Sequence, residues 1–156
     1  MVIFLTWLNN EKIRCFEKCK SMKESEIIQL ISDLDSREEV VKAAITDEKV
    51  RDILFSIIQK RAKDKSLNVP MGGQVATEAE SKRIDTELGI IDNVMDVVSR
   101  IAEQDPRLVQ SIIPTIIRFL DYEFFFITEK VAKIIIYSPN NDNIELFAPA
   151  VPKLVP

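Results

Sequence analysis

The chain has 156 residues, of which 46% are hydrophobic and 29% are charged, a balance typical of a folded globular protein rather than a disordered one. Its net charge is −4 and it contains no histidine. The sequence therefore lacks the basic excess of a general nucleic-acid binder and the side chain most used for proton transfer and transition-metal binding. We predict a protein without catalysis, without a cofactor and without a metal site.

The N-terminal stretch VIFLTWL is too short for a signal peptide or a membrane span. It precedes a helix predicted over about 9–21, on which Cys15 and Cys19 share one face. Their spacing does not suit a disulfide, and two thiols without histidine do not complete a zinc site within one chain. Free thiols are typical of a reducing compartment, so we expect a cytoplasmic protein.

Apolar residues at helical spacing predict three further helices in the first half of the chain. These helices cover about 24–34, 36–46 and 47–63. Together with the helix at 9–21 they form a predicted N-terminal segment, residues 1–64. Its four helices are either degenerate repeat units or a separate small bundle.

Polar residues mark the boundaries of these helices. Asp35 or Ser36 is the expected cap of the helix at 36–46, and Asp47 is the expected cap of the next one. That next helix ends in basic residues, which offset a helix dipole or bind the phosphates of a nucleic acid. The nucleic-acid interpretation uses Lys18, Lys20, Lys23, Lys60, Arg61, Lys63 and Lys65.

The helical pattern stops at SLNVPMGGQVA, which contains a proline and two glycines but no charge. This composition is typical of a flexible connection, so we predict a linker at 65–76. The two glycines are not followed by Gly-Lys-Ser/Thr, which excludes a phosphate-binding loop of the usual kind.

A C-terminal segment, residues 77–156, begins after the linker. Its first helix is predicted to start at Thr77, whose spacing from Glu80 is typical of a capping box, and to end near residue 103. Its second helix is predicted to start at Asp105-Pro106, where a cap precedes a proline at the first helical position.

The third helix of this segment, predicted at about 123–137, is apolar on more than one side. Val131 belongs to its main apolar stripe, whereas Phe125, Phe126 and Ile136 lie off that stripe. Because an apolar surface has to be covered, we expect this helix to have neighbours on more than one side.

Pro114 lies inside the second of these helices, within the apolar run SIIPTIIRFL. Proline cannot donate a hydrogen bond to the carbonyl of Gln110 and crowds it. We expect the helix to bend at this point, so that its wide apolar face wraps over a neighbouring helix. A simple helix break at residue 113 is the alternative.

The proline pattern recurs along the chain. SIIPTII is echoed by APAVPKLV, in which Pro152 follows Pro114 by 38 residues. The helices between them correspond at nearly the same offset, since Val131 follows Val94 by 37 residues. A period near 38 that contains two helices indicates a stack of helical repeats.

In this pattern the sequence resembles the HEAT-repeat family, with its armadillo relatives, whose repeats pair a proline-bent first helix with a straighter second one. The resemblance is clearest over IIPTIIRFLDYEFFFITEKVAKII, with Pro114 at the bend and Asp121 near the turn. It implies an all-α fold, a right-handed α-α superhelix, over roughly 80–156. The family often has an arginine where this chain has Thr128, so we do not expect the family's Asp/Arg ladder.

The second helices of such a stack line one face of the array. At the offset of 37 residues, Asn93 falls beside Lys130, Asp96 beside Lys133 and Arg100 beside Tyr137. We predict that these polar residues form a partner-binding face, with Asp96 and Lys133 within ion-pair reach. Ordinary solvated helix surface is the alternative.

The segment ends in VPKLVP, a first helix without a second helix to cover it. Phe147, Val151 and Val155 therefore form a predicted apolar edge for self-association or for a partner. The alternative is that all three turn inward onto the helix at 123–137.

The predicted function is that of a protein–protein interaction scaffold or adaptor whose partner the sequence does not name, with no association with a membrane. A nucleic-acid-associated helical protein is the first alternative. A carboxylate-dependent enzyme, which would need a deep pocket holding two buried acids, is the second.

Overall fold

The computed structural model describes residues 22–68, 77–139 and 144–154. Within these ranges the chain forms seven α-helices and no strand, which confirms the predicted all-α class. The predicted helix at 9–21, Cys15, Cys19 and Val155 lie outside the described residues. The helices are α1 (Glu24–Ser32), α2 (Leu34–Thr46), α3 (Glu48–Ala62), α4 (Glu78–Gln104), α5 (Ile113–Ile116), α6 (Phe125–Tyr137) and α7 (Val151–Leu154). Four 3-10 segments connect them: Lys65–Leu67, Pro106–Ile112, Ile117–Asp121 and Ile144–Ala150.

Side-chain caps determine where several helices begin. The predicted caps Asp47 and Thr77 are confirmed, since their side chains accept hydrogen bonds from backbone amides in the first turns of α3 and α4. The cap of α2 is Asp33, not Asp35 or Ser36, because the Asp33 carboxylate accepts from the Ser36 amide at 2.9 Å and hydroxyl at 2.7 Å. These two hydrogen bonds hold the pKa of Asp33 below its ordinary value.

Helix α4 lies at the centre of the fold. It has 27 residues, which correspond to a length of about 40 Å. α1, α2, α3, the Lys65–Leu67 and Pro106–Ile112 segments and α6 all pack on it. Its buried residues cover much of its circumference: Ile84, Leu88, Ile91, Val94, Met95, Val97, Val98, Ser99, Ile101 and Ala102.

The predicted linker begins too early in the sequence. Leu67 is fully buried within the same hydrophobic core as α3 and α4. Arg83 of α4 donates to the Ser66 hydroxyl at 2.7 Å, which fastens this segment to the central helix. Residues 65–68 therefore belong to the folded core, and the remaining part of the predicted linker, 69–76, lies outside the described residues.

One hydrophobic core joins the two predicted segments. Its buried residues extend from Met22 to Ala150 and include side chains from every described α-helix except α7. The predicted boundary between 1–64 and 77–156 therefore does not divide this core.

Pro114 does not bend a continuous α-helix. The predicted second helix is instead a 3-10 segment, the short helix α5 and another 3-10 segment. Pro114 is the second residue of α5, in the first helical turn, where its missing N–H is not needed. The carbonyl of Gln110 accepts from the Ile113 amide instead, which closes a 3-10 turn. The alternative of a break at residue 113 therefore describes this segment better than the bend.

The local structure repeats at the predicted offset. The change from a 3-10 segment to an α-helix falls at Val151, 38 residues after the same change at Ile113. Pro152 is the second residue of α7, as Pro114 is of α5. We call residues 106–116 the first proline segment and residues 144–154 the second proline segment.

Replacing Leu67 tests whether residues 65–68 belong to the core. We expect Leu67→Ala to lower the free energy of unfolding by about 2–5 kcal/mol, because it removes buried methyl groups and leaves a cavity. Denaturant titration monitored by circular dichroism measures this change, and the exposed neighbour Asn68→Ala serves as the matched control. A loss below about 0.5 kcal/mol, the range of ordinary surface substitutions, would contradict the assignment.

Candidate protein-binding interface

Three of the predicted interface residues, Asn93, Asp96 and Arg100, belong to a partly buried polar network between α2 and α4. Arg37 of α2 has only 7% of its surface exposed. Its guanidinium donates to the Asp96 carboxylate and to the Asn93 side-chain oxygen, both at 2.9 Å, and to the Ile31 carbonyl at 2.8 Å. Arg100 lies 3.3 Å from the same Asp96 oxygen. The network therefore fixes α2 against the central helix rather than presenting these groups to a partner.

The predicted contact between Asp96 and Lys133 does not occur within the described residues. The Asp96 carboxylate is occupied by Arg37 and Arg100, and Lys133 lies 3.3 Å from Glu129 on its own helix. A nearly buried arginine requires a carboxylate partner, and α2 brings Arg37 to that flank of α4. The 37-residue offset relates equivalent positions, but it does not show which flank of each helix faces its neighbour.

Lys130 connects α6 to the central helix. Its ammonium group forms an ion pair with Asp92 of α4, and both side chains are partly buried. The 37-residue offset predicts that Lys130 lies beside Asn93, the next residue along α4. The side chain of Asn93 instead accepts a hydrogen bond from Arg37. α2 and α6 thus occupy different flanks of α4, and the predicted polar face is divided between them.

Arg37 was not among the predicted interface residues, although the sequence carries a signal for it. It precedes Val40, Val41 and Ala44 by three, four and seven residues, so it lies on the apolar stripe of α2. An arginine in that position indicates a buried partner of opposite charge.

The outer side of α6 is the most apolar exposed surface among the described residues. Phe125 is 78% exposed and Ile136 is 74% exposed, while Phe126 and Tyr137 are also exposed. The neighbours expected on this side of the helix are absent from the described part of the chain. We call this surface the α6 face, and its residues are Phe125, Phe126, Glu129, Lys133, Ile136 and Tyr137.

The predicted C-terminal edge is only partly exposed. Phe147 is buried in the core, Val151 is 57% exposed, and Val155 lies outside the described residues. Lys153 fastens the second proline segment to the rest of the fold by donating to Asp121 at 2.7 Å. Neither the predicted edge of three exposed residues nor its inward-turned alternative describes this segment.

Two residues of the predicted basic cluster, Lys60 and Arg61, form ion pairs within the fold. Lys60 pairs with Glu24, and the Arg61 Nε lies 2.7 Å from a Glu87 carboxylate oxygen. Lys18 and Lys20 are outside the described residues. Charge that a nucleic acid would use is thus partly neutralised by the protein's own carboxylates.

The carboxylates beside the groove between α1 and α2 act as helix caps. Glu26 accepts from the Lys23 amide at 2.8 Å, and Asp33 accepts from Ser36. Across the described ranges, no group of three or more His, Cys, Asp or Glu side chains is placed to hold a metal ion.

No protein-family model, no curated protein and no solved structure matches this chain. In the part of the chain that the structure describes, every helix is too short or too polar to cross a membrane.

The buried network makes a testable contribution to stability. We expect Arg37→Ala to lower the free energy of unfolding by about 3 kcal/mol, because Asp96 loses its main partner in a partly buried position. The exposed Lys49→Ala on α3 is the control and is expected to change it by less than about 0.5 kcal/mol.

A double-mutant cycle assigns that loss to the pair. Adding Asp96→Ala to Arg37→Ala is expected to cost much less than Asp96→Ala alone, and denaturant titrations of the four proteins measure the difference. Additive losses would show that Arg37 and Asp96 stabilise the fold independently.

Proposed function

We propose that this chain is a cytoplasmic protein–protein interaction scaffold, built from HEAT-like helical repeats, that binds its partner where the repeat pattern is left uncovered. One observation carries the proposal. Three positions that are buried in the first copy of the repeat are exposed to solvent in the second copy. One pair of equivalent positions lies in the proline segments, and the other two pairs lie in the helices that follow the same period.

The first pair lies in the proline segments. Ile113 is fully buried in the first proline segment, whereas its equivalent 38 residues later, Val151, is 57% exposed. The two segments have the same backbone structure, so the difference lies in their surroundings. The first segment packs on α3 and α4, whereas the second packs on α5 and the Ile117–Asp121 segment.

The other two pairs of equivalent positions lie in α4 and α6. The ion pair between Lys130 and Asp92 shows that α6 lies on the flank of α4 that carries Asp92. Leu88 and Ser99 lie within about 40° of Asp92 around the helix axis, and both are buried. This flank of α4 is therefore the one that receives the next helix of the array.

The equivalent flank of α6 is uncovered. At the offset of 37 residues, the counterparts of Leu88 and Ser99 are Phe125 and Ile136, the two most exposed apolar side chains of this helix. Covering a Phe or Ile side chain stabilises a complex by about 1.5–3 kcal/mol. A helix that packs on this flank of α6 in the way that α6 packs on α4 extends the array by one further layer.

The distribution of charge favours a protein partner over a nucleic acid. Lys60 and Arg61, central to the basic cluster, are paired with carboxylates of α1 and α4. The uncovered surfaces instead combine apolar side chains with one Glu–Lys pair, a composition that suits another protein surface.

Site-specific photocrosslinking tests this function in the cell that makes the protein. A photoreactive side chain at Val151 is expected to capture a defined protein, because this position lies where the next layer would pack. The same side chain at Lys49, exposed on α3, is the matched control. Identical crosslinking patterns from both positions, or none from either, would contradict a binding role for the uncovered edge.

A further inference from the structure

The α6 face has an internal symmetry that points to its partner. Its apolar residues form two stripes, Phe125 with Ile136 and Phe126 with Tyr137. The members of each stripe are 11 residues apart, which is three helical turns, a length of about 17 Å with an angular drift of only about 20°. Glu129 and Lys133 lie between the stripes, one turn apart.

A two-fold axis perpendicular to α6 matches each of these features with a complementary one. When a second α6 runs antiparallel across such an axis, residues on opposite sides of a common midpoint come together. Phe125 then meets Ile136 of the other copy, Phe126 meets Tyr137, and Glu129 meets Lys133. The midpoints of these pairs all fall within one residue of Val131. One axis therefore satisfies both apolar stripes and both charges.

We propose that two copies of this chain associate through antiparallel packing of their α6 faces. The proposal rests on the proposed function and names a second copy as the partner at this surface. The central charges select the orientation, since a parallel arrangement would place Glu129 beside Glu129 and Lys133 beside Lys133 of the other copy. The four apolar side chains, each used twice by the symmetry, provide the buried surface.

The area of the α6 face sets the expected strength of the association. Helix α6 has 13 residues, so its outer side alone covers less than the roughly 800 Å² per partner of a standard stable interface. Association is therefore expected to be weak and visible only at protein concentrations of about 10–100 µM. Exposed ion pairs contribute little affinity but make the association sensitive to charge and to salt.

Two charge-reversing substitutions test the arrangement. Glu129→Lys alone makes both positions positive, and Lys133→Glu alone makes both negative, so each variant is expected to dimerise about tenfold more weakly than the wild type. An equimolar mixture of the two variants restores an opposite charge at every cross-contact and is expected to recover wild-type association. Sedimentation velocity over a concentration series, at low salt, measures all four samples.

The mixture distinguishes a loss of binding from a loss of folding, because mixing the two variants leaves helix α6 of each variant as it was. Lys49→Glu on α3 carries the same charge change away from the α6 face and is expected to dimerise like the wild type. Circular dichroism confirms that each variant has the helix content of the wild type.

The results divide cleanly between the two proposals. A wild-type protein that stays monomeric throughout the series, or a mixture that associates no better than either variant, would overturn the antiparallel pairing. If Val151 still captures a different protein in the crosslinking experiment, the binding function stands without self-association. If neither experiment detects a partner, both proposals fail.

Discussion

The need to cover the wide apolar side of α4 determines the rest of this fold. An apolar side of this width cannot face water, so other elements have to cover it. Six elements supply that cover. α1, α2, α3 and the Lys65–Leu67 segment precede α4 in the chain, and the Pro106–Ile112 segment and α6 follow it. The buried side chain of Arg37 donates to Asp96 and Asn93 of α4 and to the Ile31 carbonyl of α1, which fixes how α2 sits against the central helix.

The helix that covers α4 is itself exposed on its apolar outer side, and the proposed function is based on this exposed side. α6 covers α4, but within the described residues the outer side of α6 has no neighbour of its own. The second proline segment is also partly exposed, since Val151 is open to solvent where Ile113 of the first segment is buried. A contiguous exposed apolar patch on a folded protein is typical of a binding surface, and this is the basis of the proposed function.

The sequence predicted local structure well and long-range partners poorly. A cap such as Asp47 is recognisable because its hydrogen bonds reach only a few residues along the chain. The sequence predicts an irregularity in the helix at Pro114. Whether the proline bends a helix or begins one depends on the hydrogen bonds of the residues around it, Gln110 among them. The main partner of Asp96, Arg37, lies on another helix, 59 residues earlier in the sequence. No repeat offset contains that information, although the place of Arg37 on the apolar stripe of α2 indicates that it has a buried partner.

The central claim is that Ile113 and Val151, which occupy equivalent places in the two proline segments, differ in how far neighbouring residues cover them. Methyl NMR of the unmodified protein with a soluble paramagnetic agent compares them directly, because the agent broadens only signals that solvent reaches. At concentrations low enough to keep the protein monomeric, the methyl signals of Val151 are predicted to broaden strongly and those of Ile113 to remain sharp. Equal broadening of the two would contradict the account.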